Sequence, residues 1–348
     1  RAEVAPLYTV EQARTSLDRF VPTDYDDWIE PGPGVRCRFR DAGHILGSAI
    51  LEIDVGERGH TRRLVASGDI GQPMRPVLRD PVRIARADYL CVESTYGNRA
   101  HRSFAATCDE LALALRRTLE VDGGNVIIPA FAVGRTQEVL FVLADLVRAG
   151  RIARLDVVVD SPMASAVTAL TVRHAALWDD ETRALYAWAE ANSGRFRVRF
   201  VQDVEESKAL NAVPGGLVVI SASGMCDAGR IKHHLRHNLG RRECAVVIAG
   251  FQAAGTLGRR LVDGAHQVTL FGERIPVRAR IHTIGGLSAH ADQPALLDWL
   301  RGFGEAPRRT FVAHGEPAAS AAFVEAVERE LGWSRVEAAR PGVPVVLE

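Results

Sequence analysis

The 348-residue sequence predicts a mixed α/β protein: one layered sandwich interrupted by a doubly wound parallel domain. Three observations predict it. Short β-branched apolar runs, bounded by Gly, Pro, Asp or Ser, alternate with helical patterns through the middle of the chain, which is the signature of βαβ units. Strands that alternate apolar and polar residues occur near the start instead. Segments ending in His or Asp lie on both sides of the middle region, so a site built from them requires the two flanks to form one domain.

Taken in order, residues 35–40 and 49–55 alternate and read as half-exposed antiparallel strands. The runs R-L-V-A-S-G-D, D-Y-L-C-V-E-S-T, N-V-I-I-P-A-F, L-D-V-V-V-D-S-P, L-V-V-I-S-A-S-G, A-V-V-I-A-G and T-F-V-A-H-G are continuously apolar. Continuous apolarity predicts strands covered on both faces. Residues 104–119, 136–147 and 318–331 carry apolar side chains at helical spacing. P-G-P-G at 31–34 is a turn rather than a linker, and no tandem repeat or low-complexity segment is present.

Composition sets bounds. No run of eighteen apolar residues occurs, so no membrane-spanning helix is expected. The 43 basic and 43 acidic residues cancel, so a nucleic-acid face has to be a local patch. Only Lys208 and Lys232 are lysines; the arginine excess suits phosphate contacts but is explained as readily by GC-rich codon usage. Cys37, Cys91, Cys108, Cys226 and Cys244 are odd in number and scattered, which fits a reducing cytoplasm and no disulfide framework. Cys91 and Cys244 sit in apolar runs and are expected to be buried. The chain opens on Arg1 and not on Met, and so reads as a fragment or a processed chain.

The chemistry-bearing segments are D-A-G-H-I-L-G-S with His44, S-G-D with Asp69, L-S-A-H-A-D with His290 and V-A-H-G-E with His314. Imidazole and carboxylate are ligands that Zn²⁺ accepts. A lone histidine at a strand end is usually structural; four such residues flanked by Gly and Ser point to a metal site, with Asp69 able to bridge two ions. Other polar residues also gather at strand ends, where open parallel sheets bind ligands: Glu93-Ser94-Thr95, Arg135, Asp160-Ser161 and residues 221–225. S-A-S-G-M-C-D-A-G-R and G-F-Q-A-A-G-T-L-G-R-R have small residues that let backbone N–H groups approach a phosphate. His233 and His237 share a helix face at i and i+4, but no general-base Glu lies between them, and they read as a basic helix face.

These segments resemble the metallo-β-lactamase-fold nucleases with a β-CASP insert, the RNA-processing family that includes the cleavage and polyadenylation specificity endonuclease. The matching segments are A-G-H-I-L-G-S-A, A-S-G-D-I-G, E-S-T-Y-G, P-A-F-A-V-G-R-T-Q-E, D-S-P-M-A, S-A-S-G-M-C-D-A-G-R-I-K-H-H-L, G-F-Q-A-A-G-T-L-G-R-R-L, H-T-I-G-G-L-S-A-H-A-D-Q and V-A-H-G-E-P, in the family's order. The resemblance implies an αββα metallo-β-lactamase sandwich, N-terminally incomplete, in two parts (residues 1–96 and 281–348), around a doubly wound β-CASP insert at 97–280. It implies His44 and His314 as zinc ligands and Asp69 as the carboxylate bridging two zincs. Glu93 then pairs with His290, which contacts the scissile phosphate and protonates the leaving oxygen. Arg135, Ser223, Gly224 and Arg230 are candidate substrate-binding residues, with Arg135, Ser223 and Arg230 expected to meet phosphate.

The resemblance further implies zinc-dependent hydrolysis of single-stranded RNA by a cytoplasmic protein, with homodimers common in the family and endo- or 5′ exonucleolytic action left open. The family's H-x-H-x-D-H motif is absent; no H-x-H occurs in the sequence. The expectation is that this segment belongs upstream of residue 1, and that the chain without it holds zinc poorly and is inactive. A non-catalytic RNA-binding scaffold and a small-molecule metallo-hydrolase are the alternatives; the long insert and the retained Glu93 and His290 weigh against them.

Overall fold

The computed structural model of the chain describes residues 6–57 and 59–347. Helix α1 (Val10–Leu17), opened by a reciprocal Thr9–Gln12 cap, precedes β1 (Ile29–Gly32), β2 (Val35–Asp41), β3 (Ala49–Glu57), β4 (His60–Ala66) and β5 (Tyr89–Glu93). Then follow α2 (Phe104–Arg116), β6 (Val126–Pro129), α3 (Arg135–Arg148), β7 (Leu155–Val159), α4 (Pro162–Arg173), α5 (Asp180–Ala191), β8 (Phe196–Phe200), α6 (Val204–Leu210) and β9 (Leu217–Ser221). The chain continues through α7 (Ile231–Asn238), β10 (Ala245–Ile248), α8 (Leu257–Val262), β11 (Gln267–Leu270), β12 (Glu273–Pro276) and β13 (Arg280–Thr283). It ends with α9 (Gln293–Leu300), β14 (Arg309–Ala313), α10 (Pro317–Leu331) and β15 (Val336–Ala338).

Two sheets organise the molecule. The first has the order β1-β2-β3-β4-β5-β14-β15, so both ends of the chain build it. Its opening ladder is antiparallel, with Arg38 opposite Glu52 and Glu52 opposite Val65, while β4, β5, β14 and β15 run parallel. One face carries Ile50, Val65, Leu90, Val92 and Val312 and is buried with the apolar sides of α9 and α10. Further along that face lie the buried carboxylates of Glu52 and Asp54. Arg36 and Arg63 bond Asp54, Arg38 and Arg40 bond Glu52, and the Arg36 and Arg38 guanidiniums sit 4.4 and 4.6 Å from the Trp28 ring. Charges can leave water here because each is paired.

The opposite face carries Phe39, Leu51, Ile53, Leu64, Cys91 and Phe311, all only half-buried. The runs R-L-V-A and T-F-V-A were expected to be covered on both faces, and Cys91 to be buried; each is covered on one side. Among the described residues, no second layer packs on this face closely enough to bury it.

The second sheet, β13-β10-β6-β9-β7-β8, is parallel throughout and lies in the inserted region. Its inner strands β10, β6, β9 and β7 are buried on both faces, as continuous apolar runs predict, while the edge strands β13 and β8 are partly exposed. Leu111, Val142, Leu143 and Leu146 pack on one side, and Ile231, Leu235, Leu257 and Leu261 on the other. This is a doubly wound insert. Strand β13 belongs to this sheet, pairing Ile281 with Val246, although a division at residue 280 places it in the returning segment. The helix expected over 104–119 ends at Arg116 and passes into a wider π turn over Arg117–Val121.

Candidate metal centre

The site forms where the loops after β2, β4, β5 and β14 meet the loop before α9. After β2, Ser48 Oγ accepts the His44 and Ile45 N–H groups at 3.1 and 3.2 Å and fixes the loop that bears His44. Gly71 N–H donates to Ala42 O, Ala291 N–H to Ile70 O and Gln72 N–H to Ala289 O, each at 2.8 Å. Three loops are thereby stitched into one miniature ladder, which carries Asp69 on one side and His290 on the other. Gly71 fits only because it lacks a side chain: a Cβ there would run into the Gly43 carbonyl. Gly71→Ala is expected to destabilise the fold by about 1–3 kcal/mol and lower Tm by roughly 3–10 °C in calorimetry.

Asp69 follows β4 just after Gly68, whose φ of +55° lets the chain turn. His314 follows β14 with φ +54°, a left-handed backbone that a non-glycine residue adopts at a cost. Thr95 Oγ1 donates to His314 O at 3.0 Å and Ser94 Oγ to Ala313 O at 2.8 Å, holding that turn in place.

The side chains converge. Asp69 Oδ1 lies 3.0 Å from His314 Nδ1 and Asp69 Oδ2 lies 3.8 Å from His44 Nε2, so its two oxygens face two histidines. The rings of His44 and His290 are 4.3 Å apart, and those of His290 and His314 5.8 Å. His290 Nδ1 lies 3.2 Å from both oxygens of buried Glu93. Burial pushes the Glu93 carboxyl up, but His290, Thr95 and the Ile70 N–H together hold it below its usual range. An ionised carboxylate only accepts, so Nδ1 carries the proton and Nε2 is left for the cleft. Burial, and then the neighbouring His290, pull the His44 pKa down, which keeps that imidazole in the neutral form a metal binds.

A cleft of about 450 Å³ opens above these residues, between the metal-side loops and the ends of β6, β9 and β10. Arg135 lines it and donates to Glu138 at 2.8 Å. Glu138 also faces Arg75, whose guanidinium reaches from the metal-side loop to bond Gly286 O. Gly224 lines the cleft as backbone. Ser223 lies outside the lining; its Oγ accepts the Ala228 N–H at 3.3 Å. Arg230, expected to meet phosphate, turns away: it bonds buried Asp160 at 2.7 Å and the carbonyls of Val201 and Gln202. The expectation is corrected on this point, because a guanidinium spent on a buried carboxylate is a structural brace. His233 stacks on Phe271 at 4.5 Å on the outer face of α7, far in sequence from the site, and makes no pair with His237.

Sequence reasoning missed two supports. His101 Nε2 donates to His290 O at 3.0 Å and its N–H to Asp292 Oδ2 at 2.8 Å, bracing the His290 loop. Thr95 was singled out only as part of a polar strand end, yet it braces His314.

Comparison with known proteins follows the same lines. A Beta-Casp domain model matches residues 136–261, and a model described as the Zn-dependent metallo-hydrolase RNA specificity domain matches residues 274–338. Ribonuclease TTHA0252 of Thermus thermophilus is 39% identical over 311 residues, covering 89% of this chain and 69% of that protein. Transcription termination factor FttA of Methanosarcina mazei is 29% identical over 329 residues, 91% of this chain and 50% of its own length. An RNase J-like protein of Methanocaldococcus jannaschii is 28% identical over 327 residues, 93% of this chain and 74% of its own. The chain thus spans about half the length of the FttA relative.

Proposed function

Because the chain belongs to the β-CASP metallo-β-lactamase family of RNA-acting metal-dependent hydrolases, we propose that it hydrolyses phosphodiester bonds of single-stranded RNA with the help of zinc. One observation carries the reading: a carboxylate–histidine pair, Glu93 and His290, stands against His44, Asp69 and His314, and His44 and His290 line a cleft.

The donor set fits the metal. Two ligands about 2.1 Å from one tetrahedral zinc stand roughly 3.4 Å apart. The Asp69–His314 and Asp69–His44 separations of 3.0 and 3.8 Å bracket that distance. Each pair supplies two of the three or so protein ligands a catalytic zinc takes; the family's H-x-H-x-D-H motif, absent from these 348 residues, would supply the rest. Bound zinc supplies a hydroxide nucleophile near neutral pH and positive charge against the phosphate.

The chain's own residues then divide the labour. Asp69 spans the two halves of the site. His290 acts as the doubly protonated imidazolium: it gives the Nε2 proton to the departing oxygen and is left neutral, its Nδ1–H held throughout by Glu93. Arg135 offers the cleft a guanidinium already oriented by Glu138. The site sits between two walls that meet through Arg75 facing Glu138 at 3.8 Å and the Val77 N–H donating to Thr182 Oγ1 at 2.9 Å, a slot that suits a single strand. We read the metal-side domain as the segments before about Tyr96 and after Thr283, with the β-CASP insert between. The five free cysteines fit a cytoplasmic setting, and among the described residues no helix is long and apolar enough to cross a membrane.

The test is cleavage of end-labelled and internally labelled RNA by the full-length protein. Zinc-loaded protein is expected to cut single-stranded RNA and to spare a matching duplex. Chelation should abolish cutting and added zinc restore it. Cleavage indifferent to chelation, or duplex cut equally well, would overturn the proposal.

A further inference from the structure

The cleft has two unlike walls. His44, Thr95 and His290 form one; Phe131, Met163, Met225 and Phe251 form much of the other. Phe131 is 48% exposed and Met163 65% exposed, in a protein that buries most of its large apolar side chains. A polar polymer's phosphates gain nothing from such a wall, whereas the flat faces of nucleobases do.

Phe131 is also held still. Its carbonyl accepts the Thr136 N–H at 3.2 Å and the Thr136 hydroxyl at 2.8 Å. Ala130 N–H, one residue earlier, donates to Ser221 O at 3.1 Å. Gly224 packs against the ring so closely that a Cβ there would lie 2.9 Å from Phe131 Cδ2. A few residues on, Gly134 leaves room for Ile45, the neighbour of His44; a Cβ at Gly134 would come within 2.6 Å of Ile45 Cγ2. The aromatic loop therefore abuts the metal-side loop. Phe251 continues the wall toward the centre, meeting Tyr96 edge-on at 6.3 Å, and Tyr96 in turn lies 6.4 Å from His290.

We propose that Phe131 is a fixed stacking platform for one unpaired base of the RNA, set beside the scissile phosphate, with Met163 packing at its flank. The strand's backbone then runs past Arg135, four residues on, while the base turns to the apolar wall. This inference rests on the reading of the protein as an RNA hydrolase and adds a base subsite to it. It accounts for a preference for single strands, because a base in a duplex cannot reach the ring. Stacking of this kind accepts any base, since every base has a π-face.

The experiment pairs Phe131→Ala and Phe131→Trp with short RNAs that carry one abasic nucleotide, walked along the strand through the cleavage site. On intact RNA, Phe131→Ala is expected to lower kcat/KM roughly 10- to 100-fold, mostly through KM, and Phe131→Trp to retain activity. With the abasic nucleotide at one position, wild type should fall to the level of Phe131→Ala and the substitution should cost nothing further. An equal loss on intact and abasic RNA at every position would mean a purely structural role and would sink the proposal, as would no loss at all. Should wild type cut no RNA, the hydrolase reading fails. The platform is then judged by binding of labelled RNA, where equal affinity of wild type and Phe131→Ala overturns it.

Discussion

Replacing His290 by alanine is expected to lower the turnover of RNA by about 10²- to 10⁴-fold, the usual contribution of a positioned general acid, while zinc content stays at the wild-type level. The expectation comes from how its ring is held. Nδ1 is engaged by both oxygens of Glu93, and the backbone is braced by His101 and by the ladder to Ile70 and Gln72. Removing the imidazole leaves buried Glu93 with the Ile70 and Thr95 N–H groups as its remaining partners, but the loops that carry the other site residues are held by bonds that do not involve the His290 ring. His44, Asp69 and His314 keep their positions. The competing assignment is that His290 is a ligand, since its ring nitrogen lies within 4.8 Å of donor atoms of His44 and Asp69. Elemental analysis decides between the two. Activity lost with zinc retained supports proton transfer; zinc lost together with activity makes His290 a ligand and removes the acid from the mechanism.

Arg230→Ala is expected to cost about 3–5 kcal/mol of stability and roughly 6–20 °C in Tm, because it takes the guanidinium partner from a buried carboxylate. Asp160 is fully buried at the end of β7. It accepts from Ser207 Oγ at 2.6 Å, His234 Nε2 at 2.6 Å and Arg230 Nη1 at 2.7 Å, and so binds α6, α7 and the end of β8 to one point. Burial pushes the Asp160 carboxyl up; His234, Ser207 and Arg230 outweigh this and hold it below the usual range. A depressed carboxyl stabilises the fold above its unfolded-state pKa, and that stability is lost as pH falls through the folded-state value. Stability of the wild type should therefore drop on acidification below about pH 4, and Asp160→Asn should flatten that part of the curve while lowering the plateau above it. Thermal unfolding across pH reads both. If Arg230→Ala melts like wild type but binds RNA poorly, Arg230 is a phosphate contact after all.

The contrast between His44 and Arg230 shows what a sequence exposes. His44, Asp69, His290 and His314 were legible because metal chemistry demands particular residue types, and strand ends are where they gather. The insert was legible because its inner strands are covered on both sides; the regular period of α3 within it and of α10 beyond it was legible too, with bounds that differ from expectation by a residue. Arg230 was misread because an arginine after a Gly-rich turn looks the same whether it meets a phosphate or a buried aspartate; only the fold brings Asp160 to it. One-sided burial of β4 and β14 was hidden for a similar reason, since an unbroken apolar run does not say how many layers surround it. His101 and Phe131 left no local mark. The role of one is set by a carbonyl 189 residues away and that of the other by the cleft it faces.

The split construction of the first sheet imposes a timetable on synthesis. Parallel pairing of Cys91 with Phe311, and the Glu93–His290 contact across 197 positions, demand closure of a very long loop. The parallel sheet between them draws on one uninterrupted stretch and closes its own core first, as domains emerging from a ribosome do. Until β14 emerges, one edge of β5 stays without its neighbour and the candidate ligand residues stay apart. The candidate metal centre is thus assembled only after the insert between its two halves has been made, so its four residues meet no earlier than the arrival of β14.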